Sequence, residues 1–491
     1  MTDSKQVSQH QEILERIARK VMVERGLEPD FPREAVSQLN RILAPASLEV
    51  DNVKDLRHLL WCSIDNDDSL DLDQLTAATL LPDGSVKVFV AIADVDAIVK
   101  NYTAIDLHAR FNTLSVYTAA IIFPMLPEKL SNNLTSLNKN EERLAVVVEM
   151  VIPDDGSLKS SAIYRAAVEN HAKLCYNDVS AWLEETAPAP KELSAVKGLE
   201  ESIKLQDKVA QKLRSHRYEN GALDLETIEG RPVFEGSVLK DYRIEKGGRA
   251  DQIIEDFMIA ANGIAARFLA AKKFPSIRRI VRVPKNWERI VALAGEQNFT
   301  LPAKPDSKAL EKFLIKAKMD DPVRFPDLSL SVIKLLGPGE YVVELPGETS
   351  TGHFGLAVKD YAHSTAPNRR YPDLITQRLI KAAIADQQPP YSKKELDDIA
   401  KNCTKQEDAA KKIERQVTKS AAALLLGSKI GEDFEAIVTG ASEKGTWVRL
   451  LELPFEGMLS AGFEGLEVGE RLTVRLLKTD VERGFIDFKK V

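Results

Sequence analysis

The segment SIDNDDSLDLDQL, residues 63–75, places Asp65, Asp67, Asp68, Asp71 and Asp73 within nine residues. Carboxylates this crowded repel and raise one another's pKa unless a cation compensates them, and Mg²⁺ with oxygen ligands is the usual partner in phosphate chemistry. Three explanations compete. A calcium loop starting at Asp65 needs Gly at 70 and Glu at 76, where the chain has Leu70 and Thr76. A merely solvated acidic loop is at odds with Ile64, Leu70, Leu72 and Leu75, which anchor the segment in apolar surroundings. A Mg²⁺ site for phosphoryl chemistry fits best of the three. Asp71 and Asp73 alternate, so in an extended segment they project to one face, where two carboxylates can share or bridge ions.

A second constellation is HSTAPNRRYPDLI, 363–375. Pro372 suits the first turn of a helix running through Leu374, Leu379 and Ile380, which sets Arg369 and Arg370 just ahead of a helix N-terminus. Such an end attracts phosphate and arginine adds a bidentate clamp; the alternative is an arginine paired with Asp373. Glu414 shares a helical stripe with Ala410, Val417 and Ala421, an unusual place for a carboxylate unless a salt bridge to Lys411 explains it.

These groups need a scaffold. Leu75–Leu81 and the alternating Val86, Val88 and Val90 flank Pro-Asp-Gly and read as a hairpin directly after the acidic loop. A second hairpin is expected over 144–168. Residues 252–272 are apolar nearly all round, the pattern of a buried helix, interrupted by Glu255 and Asn262, which lie seven apart and share a face. Residues 9–25 form an amphipathic helix stopped by Gly26, and a further helical stretch runs from Pro32 to about Leu43. After the helix around 405–426, short alternating strands separated by glycine read as a small β-barrel, with the boundary near Lys429. The fold class is therefore mixed α/β (α+β), and the expected units are a helical N-terminal segment, 1–50, an α/β core, 51–390, its helical continuation, 391–429, and the barrel, 430–491.

The chain has 491 residues, a net charge of −7 and three cysteines, Cys62, Cys175 and Cys403, spaced for neither a disulfide framework nor a zinc site. The polar start and the absence of a long apolar run predict a soluble, cytoplasmic protein with no membrane segment. An acidic balance argues against a general nucleic-acid binder, but IRRIVRVPK at 277–285, NRRY at 368–371 and KKIER at 411–415 concentrate positive charge, as a basic interior channel would. The alternative is that each run is a solvated face.

The acidic motif, PMLPEKLSNNLTSL at 124–137, IIEDFMIAAN at 253–262, HFGLA at 353–357 and HSTAPNRRYPDL, in this order, resemble the RNB family of exoribonucleases, of the RNase II and RNase R type. The barrel, with Gly431, Phe434, Gly440, Gly445, Trp447 and Gly457, is similar to the OB-fold RNA-binding domain of ribosomal protein S-one. The resemblance implies processive hydrolysis of single-stranded RNA from its 3′ end to nucleoside 5′-monophosphates with Mg²⁺, or Mn²⁺ in its place, no preference for DNA, and protein partners left open. It assigns Asp65, Asp71 and Asp73 to the catalytic metal site, with Asp73 most tied to catalysis, and Arg369 to the scissile phosphate. Tyr117, Tyr176, Glu414, Arg370 and Trp447 are implied RNA contacts.

Two departures stand out. Where the family usually has a fourth aspartate, this chain has Gln74, whose amide oxygen can ligate Mg²⁺ without charge, so one metal should be held less tightly. Residues 1–50 are also too short and too helical for the cold-shock-type domains that precede the core in RNase II and RNase R. An alternative function is a regulatory RNA-binding protein with weak or lost nuclease activity.

Overall fold

The computed structural model describes residues 9–226, 229–245, 247–348, 351–442, 445–453 and 455–491. Its centre is a seven-stranded sheet built from β1 (Val53–Asp55), β2 (Cys62–Asp65), β3 (Gln74–Leu80), β4 (Val86–Ala93), β7 (Glu142–Ile152), β8 (Ser160–Glu169) and β9 (Ala172–Cys175). A two-stranded ribbon, β5 (Val116–Tyr117) and β6 (Ile122–Phe123), lies outside it. The sheet order is β1-β8-β7-β4-β3-β2-β9, antiparallel except for the β1–β8 and β2–β9 pairs. Both expected hairpins are present. Gly84 takes φ +81° in the β3–β4 turn, the left-handed conformation that makes glycine the residue for this position.

Helices Leu199–Glu219 and Arg249–Ala271 pack on the sheet and share its core, which runs from Trp61 and Ile64 through Val88, Val147 and Phe257 to Leu374 and Ile399. The expected buried helix is there, but its polar face is differently composed. The Glu255 side chain is 53% exposed and pairs with Arg214, while its neighbour Asp256 is buried between Arg214 and Arg217. At that level the helix faces Leu199–Glu219, whose two arginines draw in Asp256 and leave Glu255 at the rim. Asn262 is buried as expected, its Oδ1 accepting from the Ser364 N–H and hydroxyl, both at 2.8 Å.

The N-terminal helix, Gln9–Glu24, inserts Ile17, Val21 and Met22 against Val116, Phe123, Ile413 and Val417. Residues 1–8 of the expected N-terminal segment lie outside the described residues. The following helix is shorter than expected, Arg33–Leu39, because the chain tightens into three-residue turns at Arg41 and Ile42 ahead of Pro45. The long helix Lys393–Leu426 starts at a Ser392–Glu395 capping box and extends its 34 residues over about 50 Å at the standard helical rise. Its last turns, Ala421 to Leu426, belong to the core of the C-terminal barrel.

Five strands close that barrel: Asp433–Ser442, Gly445–Leu450, Glu456–Ala461, Arg471–Asp480 and Phe485–Lys490. Gly457 is required by close approach, since a Cβ there would lie 2.5 Å from the Phe488 ring and 2.6 Å from the Ile486 carbonyl oxygen. A separate helical layer, Trp287–Glu296, Ser307–Asp320 and Phe325–Leu336, has its own core around Ile290, Phe313 and Val332. The basic run at 277–285 does not line a free cationic surface. Arg278 and Arg279 are buried in the strand Ser276–Ile280 and paired with Glu344 and Glu407, and Arg282 pairs with Glu340.

Candidate active site

The acidic loop joins two neighbouring strands: Asp65 ends β2 and Asp73 immediately precedes β3. Residues of the 124–137 motif hold it in shape. The Ser136 hydroxyl donates to the Leu70 carbonyl at 2.7 Å and accepts from the Leu72 N–H at 3.0 Å, and the Leu137 N–H bonds the Leu72 carbonyl at 3.0 Å. On the other side the Lys173 ammonium reaches the Ser69 carbonyl. With its backbone pinned between these contacts, the loop presents its carboxylates in fixed places.

Asp73 is 1% exposed. Its Oδ1 accepts from the Asn368 N–H at 2.9 Å and its Oδ2 lies 3.3 Å from Arg369 Nε. Burial pushes its carboxyl up to about 7; Arg369 pulls it down and Asp71 adds to the rise. Burial also raises Asp65, whose Oδ1 accepts from the Asn66 N–H at 2.8 Å. Asp71 accepts from the Ser69 hydroxyl at 3.4 Å and from the Tyr117 hydroxyl at 3.0 Å. Burial works against the Arg369 charge, yet Asp73, Tyr117, Asp71 and Asp65 together raise its pKa, so it stays a cation in the midst of the three carboxylates. Among the described residues, no three carboxylate, imidazole or thiolate side chains converge into a ready metal cage. Asp67 and Asp68 turn to Arg231, on the antiparallel pair of strands Glu229–Glu235 and Val238–Glu245, outside this group.

Arg369 arrives on a segment paired alongside the strand that leads into Tyr117. The Ser115 N–H bonds the Arg369 carbonyl at 2.9 Å, Leu114 bridges Arg370, and the Tyr371 N–H bonds the Thr113 carbonyl at 2.8 Å. The Tyr117 N–H in turn donates to Glu414 Oε1 at 3.1 Å. Glu414 is thus tied to the ribbon, whereas Lys411, its expected partner, pairs with Glu407. Arg370 forms the cap of helix Tyr371–Ile384 but bonds Asp373 at 2.8 Å, the alternative considered from the sequence. Tyr176 begins helix Tyr176–Leu183, its pKa raised by burial and by Asp65 nearby. Gln74, the first residue of β3 and the next residue after Asp73, is buried.

A cleft of about 750 Å³ opens between the long helix, the helical layer and the barrel. Glu414 lines it, together with Lys411, Arg415, Lys419, Lys334 and Arg324. Arg449 closes one side by bonding Asp327 through Nε at 3.2 Å and Nη2 at 2.9 Å. Along the same barrel strand, buried Thr446, Val448 and Leu450 alternate with Trp447 and Arg449, which face outward.

Two groups escaped the reading of the sequence. Asn368 supplies Asp73 with a backbone donor, and Asp256 is held by two arginines beside the Glu255 that was singled out instead. The motif strings contained both, but long-range partners separate an important residue from its neighbour, and local pattern does not carry them.

An RNB domain model matches residues 53–386, and a model of the RNase II-type exonuclease C-terminal S1 domain matches residues 432–491. The chain is 29% identical to ribonuclease R of Aquifex aeolicus, covering 95% of this chain and 69% of that protein. It is 30% identical to ribonuclease R of Thermotoga maritima, covering 94% and 68%, and 32% identical to that of Escherichia coli, covering 91% and 55%. The fold is similar to Mycoplasma genitalium RNase R in complex with ribose methylated single-stranded RNA, with a TM-score of 0.85 at 23% identity over 96% of this chain and 77% of that one. It is also similar, with a TM-score of 0.72 at 15% identity over 90% and 55%, to yeast Ssd1, described as a pseudonuclease.

Proposed function

The chain belongs to the RNB-domain family of exoribonucleases, and from that premise we propose that it hydrolyses single-stranded RNA processively from the 3′ end, releasing nucleoside 5′-monophosphates. The observation that carries this reading is the grip of Asn368 and Arg369 on both oxygens of buried Asp73. That arrangement fixes one carboxylate and leaves the rest of the guanidinium fork for a phosphate.

The donor set suits a hard divalent cation, Mg²⁺ or Mn²⁺: three carboxylates on one short loop, with Arg369 as their present counter-charge. Asp65, Asp71 and Asp73 would hold the ion, with Gln74 as a neutral and weaker contributor, and the ion would supply water activation and neutralise charge on the leaving oxygen. Phosphate ester hydrolysis requires a barrier reduction on the order of 20 kcal/mol, beyond what Arg369 supplies alone.

The remaining groups bind and orient. Lys411, Arg415 and Lys419 along the cleft attract the phosphate backbone, with Arg370 a further positive charge behind Arg369. Tyr117 is 40% exposed, so a terminal base can stack on its ring, contributing about 1–3 kcal/mol. Tyr176 beside Asp65, Glu414 in the cleft wall and Trp447 on the outer barrel face extend the track for a single strand.

The test is a hairpin RNA with a 3′ tail, labelled uniformly along its length and incubated with Mg²⁺. The expected result is mononucleotide release with a ladder ending near the duplex, lost in Asp73→Asn while RNA binding persists. Activity of Asp73→Asn equal to the parent overturns the assignment. A regulatory RNA-binding role is favoured by one observation, the neutral Gln74 next to Asp73; tight binding with no mononucleotide release in Mg²⁺ or Mn²⁺ selects it.

A further inference from the structure

Tyr117 touches the site at two ends. Its hydroxyl donates to Asp71 Oδ2 at 3.0 Å, and its backbone N–H donates to Glu414 Oε1 at 3.1 Å, on the helix that lines the cleft. Tyr117 itself, held between these anchors, is 40% exposed. A stacking platform needs the ring and not the hydroxyl. The hydroxyl is instead committed to one oxygen of a carboxylate that has one other bonded donor described, the Ser69 hydroxyl at 3.4 Å on Oδ1.

The backbone around Tyr117 makes that commitment firm. Val116 pairs with Phe123 and Tyr117 with Ile122, while Ser115 and Leu114 pair with Arg369 and Arg370. Behind the ribbon, Val116 and Phe123 are buried against Ile17, Val21 and Met22 of the N-terminal helix. The backbone that carries the hydroxyl is therefore held by a three-element stack. A carboxylate whose outer oxygen accepts such a bond has its other oxygen aimed, and outer donors of this kind fix the orientation and affinity of a metal ligand.

We infer that Tyr117 is a positioning residue for Asp71: its hydroxyl aims that carboxylate at a divalent cation, while its ring serves the RNA end separately. This rests on the metal-dependent reading of the acidic loop proposed above. It assigns the two halves of one side chain to two different binding events, which makes them separable by substitution.

The experiment titrates the full chain with Mn²⁺ alone, following free Mn²⁺ by electron paramagnetic resonance. In parallel it measures binding of a short ribose-methylated, fluorescein-labelled single-stranded RNA in EDTA by anisotropy. Tyr117→Phe keeps the ring and loses the hydroxyl. It should bind Mn²⁺ about tenfold more weakly than the parent, and RNA within about twofold of it. Tyr117→Ala should weaken both. Mn²⁺ affinity of Tyr117→Phe equal to the parent overturns the inference and leaves the proposed function standing. Equal losses of Mn²⁺ and RNA affinity in Tyr117→Phe also overturn it, by showing general disruption. No saturable Mn²⁺ binding by the parent itself overturns the metal-dependent function and the inference together. Thermal melts of each variant accompany the titrations, and if Tyr117→Ala is unfolded, Tyr117→Phe decides alone.

Discussion

Asp73 and Arg369 meet 296 positions apart in sequence, Oδ2 to Nε at 3.3 Å, while the preceding residue, Asn368, bonds the other oxygen of the same carboxylate through its N–H. A single turn therefore fixes both the direction of the acid and the place of the cation. The guanidinium uses its inner nitrogen for this contact, so its terminal nitrogens remain available to a phosphate.

Arg369→Lys tests that division of labour. Lysine keeps the charge but cannot bond Asp73 and a phosphate through one planar fork. The turnover rate should fall by about 10²-fold with a smaller change in KM, as for loss of one oriented transition-state contact. Steady-state release of mononucleotides from a labelled single strand provides the measurement, and a change confined to KM would assign Arg369 to binding alone.

Gln74→Asp restores a negative charge at the residue next to Asp73. The variant should need a lower Mg²⁺ concentration for half-maximal activity. Without metal it should be less stable by about 1–3 kcal/mol, because it buries an uncompensated carboxylate. Thermal melts with and without Mg²⁺ separate the two effects, and an unchanged Mg²⁺ requirement removes position 74 from the metal site.

Glu311 gives a pH dependence away from the catalytic groups. It is 3% exposed, and burial pushes its carboxyl up to about 7, against the Asp224 N–H at 2.8 Å and with the Asp224 carboxylate adding to the rise. The folded state keeps a proton that the unfolded chain releases near the ordinary value of 4.5. The group's favourable contribution is thus complete below that value and is lost as pH rises through about 7. Glu311→Gln should match the parent at low pH and exceed it by about 1–3 kcal/mol above neutrality, read from denaturation midpoints across pH.

The Asp327–Arg449 bridge joins the helical layer to the barrel beside the cleft. Both side chains are mostly buried, so each single alanine substitution should cost about 1–2 kcal/mol, with a coupling of about 1 kcal/mol in a double-mutant cycle. Single-stranded RNA should bind a few-fold more weakly to either variant as the cleft wall loosens. Additive single effects would show that the pair does not fasten the barrel.

Much of this was legible in the residues because its physics is local. The aspartate alternation, the Gly84 turn and the Arg370–Asp373 pair all act within a few positions. What stayed hidden was decided across the fold. Glu414 meets Tyr117 rather than Lys411 because the N-terminal helix and the long helix sandwich the β5–β6 ribbon, which no helical periodicity reports. Asp256 is turned inward, and Glu255 outward, by arginines on another helix. The basic run at 277–285 proved structural because its carboxylate partners come from residues 340, 344 and 407.

The seam between Thr113–Tyr117 and Arg369–Tyr371 has a consequence for biosynthesis. The acidic loop is made first, and the Arg369–Tyr371 segment that pairs with Thr113–Ser115, with the Asn368 and Arg369 groups that grip Asp73, follows nearly three hundred residues later. Since synthesis proceeds at about 5–20 residues per second, the nascent chain spends on the order of tens of seconds with its carboxylates made and its cation missing. In a chain made in this order, the grip on Asp73 cannot close until Asn368 and Arg369 have been synthesised.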